Sequence, residues 1–135
     1  MVPRPLVALA LVASTALAGC AKRGAPEEVA DAFVDAYFRR ADQEKAKEYT
    51  ALGATEMLEK ELKEVAQLRR DGYTPAEAGG GDVKVRRGES SNRDQRIRFP
   101  YEIVVRNEGT ETVRDADVEL ANIRGAWKVV RVGLK

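Results

Sequence analysis

The periodicity of the apolar residues changes once along this chain, near three consecutive glycines at 79–81. Before them, apolar residues recur every three or four positions, which is typical of amphipathic helices, and after Asp82 they alternate with polar residues, which is typical of half-buried strands. Helices first and strands second predict an α+β fold in which the two sets of elements pack together. The glycine run follows a helix and precedes a strand, the wrong order for a phosphate-binding loop, so we predict a flexible connector.

Three helices are predicted between residues 26 and 71. The first begins at Pro26, followed by acidic residues that suit the positive end of a helix dipole. Asp42 and Thr55 are predicted to cap the second and third helices, and Asp71-Gly72 to end the third. The predicted spans are about 26–40, 42–53 and 55–71.

About four antiparallel strands are predicted after residue 82. The clearest covers 97–105, where apolar and charged side chains alternate. Pro100 interrupts its polar face, which predicts an edge strand or a bulge because proline cannot donate a ladder hydrogen bond. Gly109 and Gly125 mark two hairpin turns, and Ser90-Ser91-Asn92 is interpreted as a further turn.

Two motifs and the element order resemble one known group of domains. The motifs are Pro26-Glu-Glu-Val-Ala-Asp-Ala-Phe33 at the start and Gly125-Ala-Trp127-Lys-Val-Val130 at the end. Together they resemble the NTF2-like (cystatin-like cone) superfamily over about residues 26–135, and most of all its small exported lipoproteins. The resemblance implies three N-terminal helices packed on a curved antiparallel sheet of about four strands. In enzymes of this group the interior of the cone holds a catalytic Asp or His, often with a Tyr that donates to an oxyanion.

The first 19 residues have the features of an export signal. Arg4 precedes a stretch, 6–18, in which every residue is apolar or small apart from Ser14 and Thr15. About 13 residues are too few to span a bilayer, which takes about 20. A cleavable signal is therefore favoured over an uncleaved anchor.

The end of this segment, Leu17-Ala18-Gly19-Cys20, resembles the lipobox of bacterial lipoproteins. The resemblance implies a signal peptide at 1–19, a Cys20 that is acylated with palmitate-type chains and begins the mature protein, a lipidated tether at 20–25, and a domain at 26–135. An ordinary signal cut near Ala18 or Gly19 is the alternative. Two or three acyl chains, as the family carries, anchor a protein stably to its membrane.

The residue after Cys20 bears on the location of the protein. In the enterobacterial pattern an Asp at this position favours retention in the inner membrane, whereas this chain has Ala21. We therefore expect a lipid-anchored protein of the bacterial cell envelope, at the periplasmic face of the outer membrane.

The composition excludes several kinds of chemistry. The chain has no histidine and one cysteine, so it cannot form an internal disulfide, a Cys/His metal cluster or a histidine-based catalytic triad. Its 23 basic and 22 acidic residues nearly balance, so the chain lacks the large positive charge that favours nucleic-acid binding. We predict no catalytic residue set, no cofactor, no metal and no nucleic-acid partner.

Five aromatic residues are the candidates for the lining of a pocket in the cone. They are Phe33, Tyr37, Phe99, Tyr101 and Trp127. Each has a competing interpretation as a core residue, with any hydroxyl satisfied at the rim. Asp115 and Asp117 share one strand face and either form a carboxylate pair or face solvent, and solvent is favoured because they alternate with apolar residues.

Two functions from different classes follow. The favoured one is a non-catalytic, membrane-anchored binding module for a protein partner or a small apolar ligand. The alternative is an NTF2-like enzyme that acts on a small apolar substrate through Tyr101 or Asp117. A cone filled by aromatic side chains, without a cavity of a few hundred Å³, would argue against the enzyme.

Overall fold

The computed structural model describes residues 24–70 and 82–135, without the side chain of Arg69. The predicted signal peptide, Cys20 and most of the tether lie outside the described residues, as do Asp71-Gly72 and the three glycines. No helix among the described residues combines the length and the apolar character needed to cross a membrane.

Helices occupy the first half of the domain and strands the second. The helices are α1 (Pro26–Val34), which continues into a π-helical turn (Asp35–Arg39), α2 (Gln43–Lys47) and α3 (Leu52–Arg70). The strands are β1 (Asp82–Arg87), β2 (Ser91–Arg93), β3 (Arg96–Asn107), β4 (Thr110–Ile123) and β5 (Ala126–Leu134).

The predicted helix starts are correct for α1 and α2 and wrong for α3. Pro26 opens α1, and the Asp42 carboxylate accepts from the backbone N–H of Lys45 at 3.0 Å, which caps α2. However, α2 ends at Lys47, and α3 begins at Leu52 instead of after Thr55.

Contacts with β5 explain the early start of α3. The N–H of Val129 donates to the carbonyl of Tyr49 at 2.8 Å, and the N–H of Ala51 donates to the carbonyl of Val129 at 2.9 Å. These bonds hold the connecting residues against the last strand, and the helix begins directly after them. Thr55 instead forms a hydroxyl–hydroxyl hydrogen bond with Thr50 at 2.8 Å.

The sheet has five antiparallel strands in the order β1-β3-β4-β5, and β2 pairs with β3 on the same side as β1. The prediction of about four strands omitted β2, because Ser91 and Asn92 were interpreted as a turn. Each hairpin closes with two residues at positive φ, the conformation of a type I′ turn. These pairs are Asp94–Gln95, Glu108–Gly109 and Arg124–Gly125.

Pro100 lies in β3 opposite the break between β1 and β2. Arg87 pairs with Tyr101 and Ser91 with Arg98, so three residues, 88–90, face two on β3. The N–H of Gly88 donates to the carbonyl of Pro100 at 2.8 Å. The N and C=O of one strand residue point to the same side, so the proline nitrogen also faces this irregular segment. The predicted bulge is therefore present, and it lies in the strand opposite Pro100.

The core lies between the helices and one face of the sheet, which we call the inner face. Its largest fully buried side chains come from both layers and are Phe33, Val34, Leu58, Phe99, Val118, Leu120 and Val129. The opposite, outer face carries most of the charged residues of β3 and β4. A bulge in β5 gives Val130 no partner on β4 and lets it be buried beside Val129.

Candidate functional site

The side of the domain where α1 meets the edge strand β1 carries a groove of about 920 Å³. Its lining includes three acids and three cations, and Tyr101 and two valines lie between them. The lining residues are Asp31, Asp35, Arg39, Asp82, Val83, Lys84, Val85, Arg87 and Tyr101.

One carboxylate organises the inner end of this groove. The Tyr101 hydroxyl, on a side chain that is 3% exposed, donates to Asp31 Oδ1 at 2.7 Å. The guanidinium of Arg87 donates to Asp31 Oδ2 and lies 5.8 Å from the centre of the Phe99 ring. Asp31 of α1 therefore joins the central strand β3 and the edge strand β1 above the aromatic core.

Burial determines the protonation state of this site. Burial raises the pKa of the Tyr101 phenol far above its usual value of 10.0, and the hydrogen bond to Asp31 and its charge raise it further. Tyr101 therefore stays protonated near neutral pH and acts as a donor, not a phenolate base. Its single proton is already donated to Asp31, so a ligand would have to displace that carboxylate to use it.

Tyr37 is held in the same way at a second position. It lies in the π-helical turn, stacks on Phe33 with ring centres 5.5 Å apart, and donates to Glu61 Oε1 at 2.7 Å. Burial and the hydrogen bond to Glu61 raise the pKa of Tyr37 well above 10. Its hydroxyl therefore connects the first helical segment to α3.

The five aromatic candidates do not line one pocket. Phe33 and Phe99 are at most 2% exposed and belong to the core. Tyr37 is partly buried beside Glu61, whereas Tyr101 lines the groove at Asp31. Trp127 is partly buried at the other end of the inner face, where it lines a separate groove of about 370 Å³ with Gly24 and Val29.

Asp115 and Asp117 lie on the outer face of the sheet, away from the interior of the cone. Asp117 pairs with Arg98 and, at 3.2 Å, with Lys135. Burial would raise the pKa of Asp117, but the hydrogen bonds from these two cations outweigh it and lower the pKa below its usual 3.8. Asp117 lines a groove of about 690 Å³ that is bordered by arginines, and this groove lies on the face of the sheet opposite the helices. This position on the outer face supports the favoured interpretation of Asp117 as a surface residue over a role inside the cone.

Neither Asp31 nor Arg87 is among the site residues predicted from the sequence. One signal was present: β1 alternates Val83, Val85 and then Arg87, which places an arginine on the apolar face of a strand. Asp31 had no equivalent signal, because 56 residues separate it from Arg87 and only the fold brings them together. Within 24–70 and 82–135, no three His, Cys, Asp or Glu side chains form a group that could hold a metal ion.

Comparisons with known proteins add information on the fold. No family model and no curated protein matches this chain. The structure is similar to that of a designed NTF2-like protein titled Rd1NTF2_05, which carries five substitutions, with a TM-score of 0.54 at 12% sequence identity. The match covers 81% of this chain and 95% of the designed one. Helices packed on a curved antiparallel sheet, together with this similarity, show that the domain has an NTF2-like fold.

Proposed function

We propose that this chain is a lipid-anchored lipoprotein of the bacterial cell envelope whose NTF2-like domain is a non-catalytic binding module. The observation that carries the anchor is Leu17-Ala18-Gly19-Cys20 at the end of an export signal, on the only cysteine of the chain. Position 24 is already part of the described domain, so an acylated Cys20 would hold the domain close to the membrane.

Two features support a binding role over catalysis. The hydroxyls of Tyr101 and Tyr37 each donate to a carboxylate, and their raised pKa values keep them protonated. The inner face is occupied by tightly buried apolar side chains, including Phe33 and Phe99. The enzyme alternative would require Tyr101 to exchange Asp31 for a substrate.

The groove between α1 and β1 is the proposed binding site. Two of its acids are paired with cations: Asp31 with Arg87, and Asp35 with both Arg39 and Arg40, at 3.1 and 3.0 Å. Such a surface suits a polar segment of a protein partner, which can exchange these ion pairs for its own. We therefore favour a protein partner over a small apolar ligand for this groove.

The anchor is tested by acyl labelling in a bacterial host. The native chain should incorporate a palmitate analogue and fractionate with membranes, and Cys20→Ser should do neither. A matched control moves the cysteine: Cys20→Ser with Ser91→Cys places a thiol at an exposed position of β2. Labelling of this control, or of Cys20→Ser itself, would contradict lipidation at position 20. The amount of labelled chain in the inner-membrane and outer-membrane fractions then tests the proposed outer-membrane location.

The binding site is tested by photo-crosslinking in intact cells. A photoreactive residue replaces Arg39, which borders the groove, or Arg93, which is 92% exposed at the β2–β3 hairpin. The proposal expects one defined adduct from position 39 and none of that mass from position 93. The same adducts from both positions would reject the groove as a specific site.

A further inference from the structure

The grooves at Asp31 and at Asp117 are lined mainly by charged residues, whereas the third, at Trp127, combines aromatic and small residues with a few charged ones. It lies between the start of α1 and the β4–β5 hairpin and has a volume of about 370 Å³. Its lining residues are Gly24, Glu28, Val29, Glu48, Tyr49, Ala126, Trp127 and Lys128.

The position of Gly24 relates this groove to the anchor. Cys20 precedes Gly24 by four residues, and four residues span at most about 14 Å even when fully extended. An acylated Cys20 would therefore bring the surface around Gly24 to the bilayer. Because Trp127 lines the same groove as Gly24, it belongs to that surface.

The side chains at this end suit the boundary between water and lipid. Trp127 lies on the inner face beyond the fully buried core and is only partly buried. Tyr49 lies beside it, and Lys45 is 5.9 Å from the centre of the Tyr49 ring. Tryptophan and tyrosine concentrate at membrane interfaces because their rings are apolar and their N–H or O–H groups are polar.

Cations accompany these rings. Lys128 donates from its ammonium to the carbonyl of Glu48 at 3.0 Å, and the exposed Arg124 forms part of the adjacent β4–β5 turn. Basic side chains next to aromatic rings match the negatively charged headgroups of anionic lipids. The carboxylates of Glu28 and Glu48 prevent a strongly basic surface, so the attraction depends on the anchor.

We propose that the surface around Gly24, Tyr49 and Trp127 rests on the bilayer, with Trp127 at the depth of the lipid headgroups and the β3–β4 hairpin directed away from the membrane. This inference rests on the proposed lipidation of Cys20. The partner that covers this surface is then the membrane itself.

Trp127 is the only tryptophan of the chain and therefore reports its own environment. The lipidated native protein is purified from bacterial membranes and reconstituted into vesicles of phosphatidylethanolamine and phosphatidylglycerol, with or without lipids brominated near the headgroup. The proposal expects a loss of Trp127 emission in the brominated vesicles, because bromine quenches a tryptophan that lies at the same depth. Cys20→Ser, added to the same vesicles, should lose little.

A relocated tryptophan is the matched control. Trp127→Phe with Val113→Trp moves the fluorophore from β5 to a position on β4 that is 54% exposed. Trp127 pairs with Asn122, nine residues from Val113, so the two sites are about 30 Å apart along the strand. The emission of this variant should not change with bromination, and its circular dichroism should match that of the native protein.

The outcomes separate this inference from the one on which it rests. If the native protein carries no acyl label and does not float with the vesicles, the proposed lipidation of Cys20 is wrong, and the inference is wrong with it. If the protein is labelled and floats but Trp127 is not quenched, the domain stands away from the bilayer and only the inference is overturned. Equal quenching at positions 113 and 127 also overturns the inference. If the relocated variant does not fold, the native protein alone still tests lipidation and the quenching of Trp127.

Discussion

The two faces of the central strands carry opposite kinds of contact at neighbouring positions. On the inner face, Phe99 lies opposite Val118, and both are at most 2% exposed. On the outer face, the adjacent residues Arg98 and Asp117 form an ion pair at the surface. Water screens the outer contacts, whereas the inner contacts remove apolar area from water. The inner face should therefore contribute more to stability than the outer face.

The largest effect should come from Phe99→Ala. It removes a fully buried ring and leaves a cavity between two layers, so we expect a loss of about 3–5 kcal/mol in the free energy of unfolding. Arg98→Ala is the matched outer-face change and should cost less than about 1 kcal/mol. Urea unfolding of the two purified variants measures both, and similar losses would refute the contrast.

Gly88→Ala tests a tightly packed position on the outer face. A Cβ at Gly88 would lie 2.9 Å from Cγ of Pro100, whose ring cannot rotate away. We expect a loss of about 1–3 kcal/mol from the resulting overpacking. Gly133→Ala is the control, since a Cβ there meets nothing within 4 Å, and it should stay within about 0.5 kcal/mol. Equal thermal midpoints for the two variants would count against a close approach at Pro100.

Tyr101→Phe should have a smaller effect, with a distinctive dependence on pH. It removes the hydrogen bond to Asp31 and should cost about 1 kcal/mol at neutral pH. In the native protein, the raised pKa of Tyr101 keeps its proton on the folded chain while the unfolded chain loses it above pH 10. That stabilisation is complete below pH 10 and falls above it, so Tyr101→Phe should flatten the alkaline decline measured by denaturation between pH 9 and 11. An unchanged decline would mean that the phenol is not held as described.

Asp117→Asn should produce the smallest change. Its lowered pKa means that the ion pairs with Arg98 and Lys135 stabilise the fold fully above pH 3.8, and that this contribution disappears as the folded carboxylate is protonated at lower pH. We expect a loss of less than about 1 kcal/mol at neutral pH, reduced further by 1 M salt. A loss that persists in high salt would indicate a role beyond surface electrostatics.

The difference between the buried inner face and the exposed outer face also explains which elements could be predicted from the sequence. The alternation in β3 predicts its inner face correctly, because burial on one side imposes a period of two. Strand β2 has no such pattern: all three residues are exposed and are held by backbone pairing to β3. The turn that closes this hairpin, Asp94–Gln95, also lacks the glycine that marks the other two.

The candidate site was harder to predict than the fold. Tyr101 was identified because an aromatic residue on an apolar strand face is visible in the sequence. Its partner Asp31 was not, because the pairing depends on how α1 crosses the sheet. The predicted start of α3 is wrong for a similar reason. Hydrogen bonds between β5 and residues 49–51 determine where this helix begins, whereas the capping preference of Thr55 does not. Long-range contacts of this kind leave no local pattern.

The break between β1 and β2 also affects how readily one copy of the domain can associate with another through the edge of its sheet. An uninterrupted edge strand presents a row of free backbone groups to which another chain can add by hydrogen bonding. Here the edge beside β3 is divided into segments of six and three residues by Gly88 and the two residues after it. Each segment is short, and the irregularity between them interrupts the register that an added strand would need. Pro100 and Gly88 thus interrupt the edge to which another chain could add, and this opposes edge-to-edge aggregation of the domain.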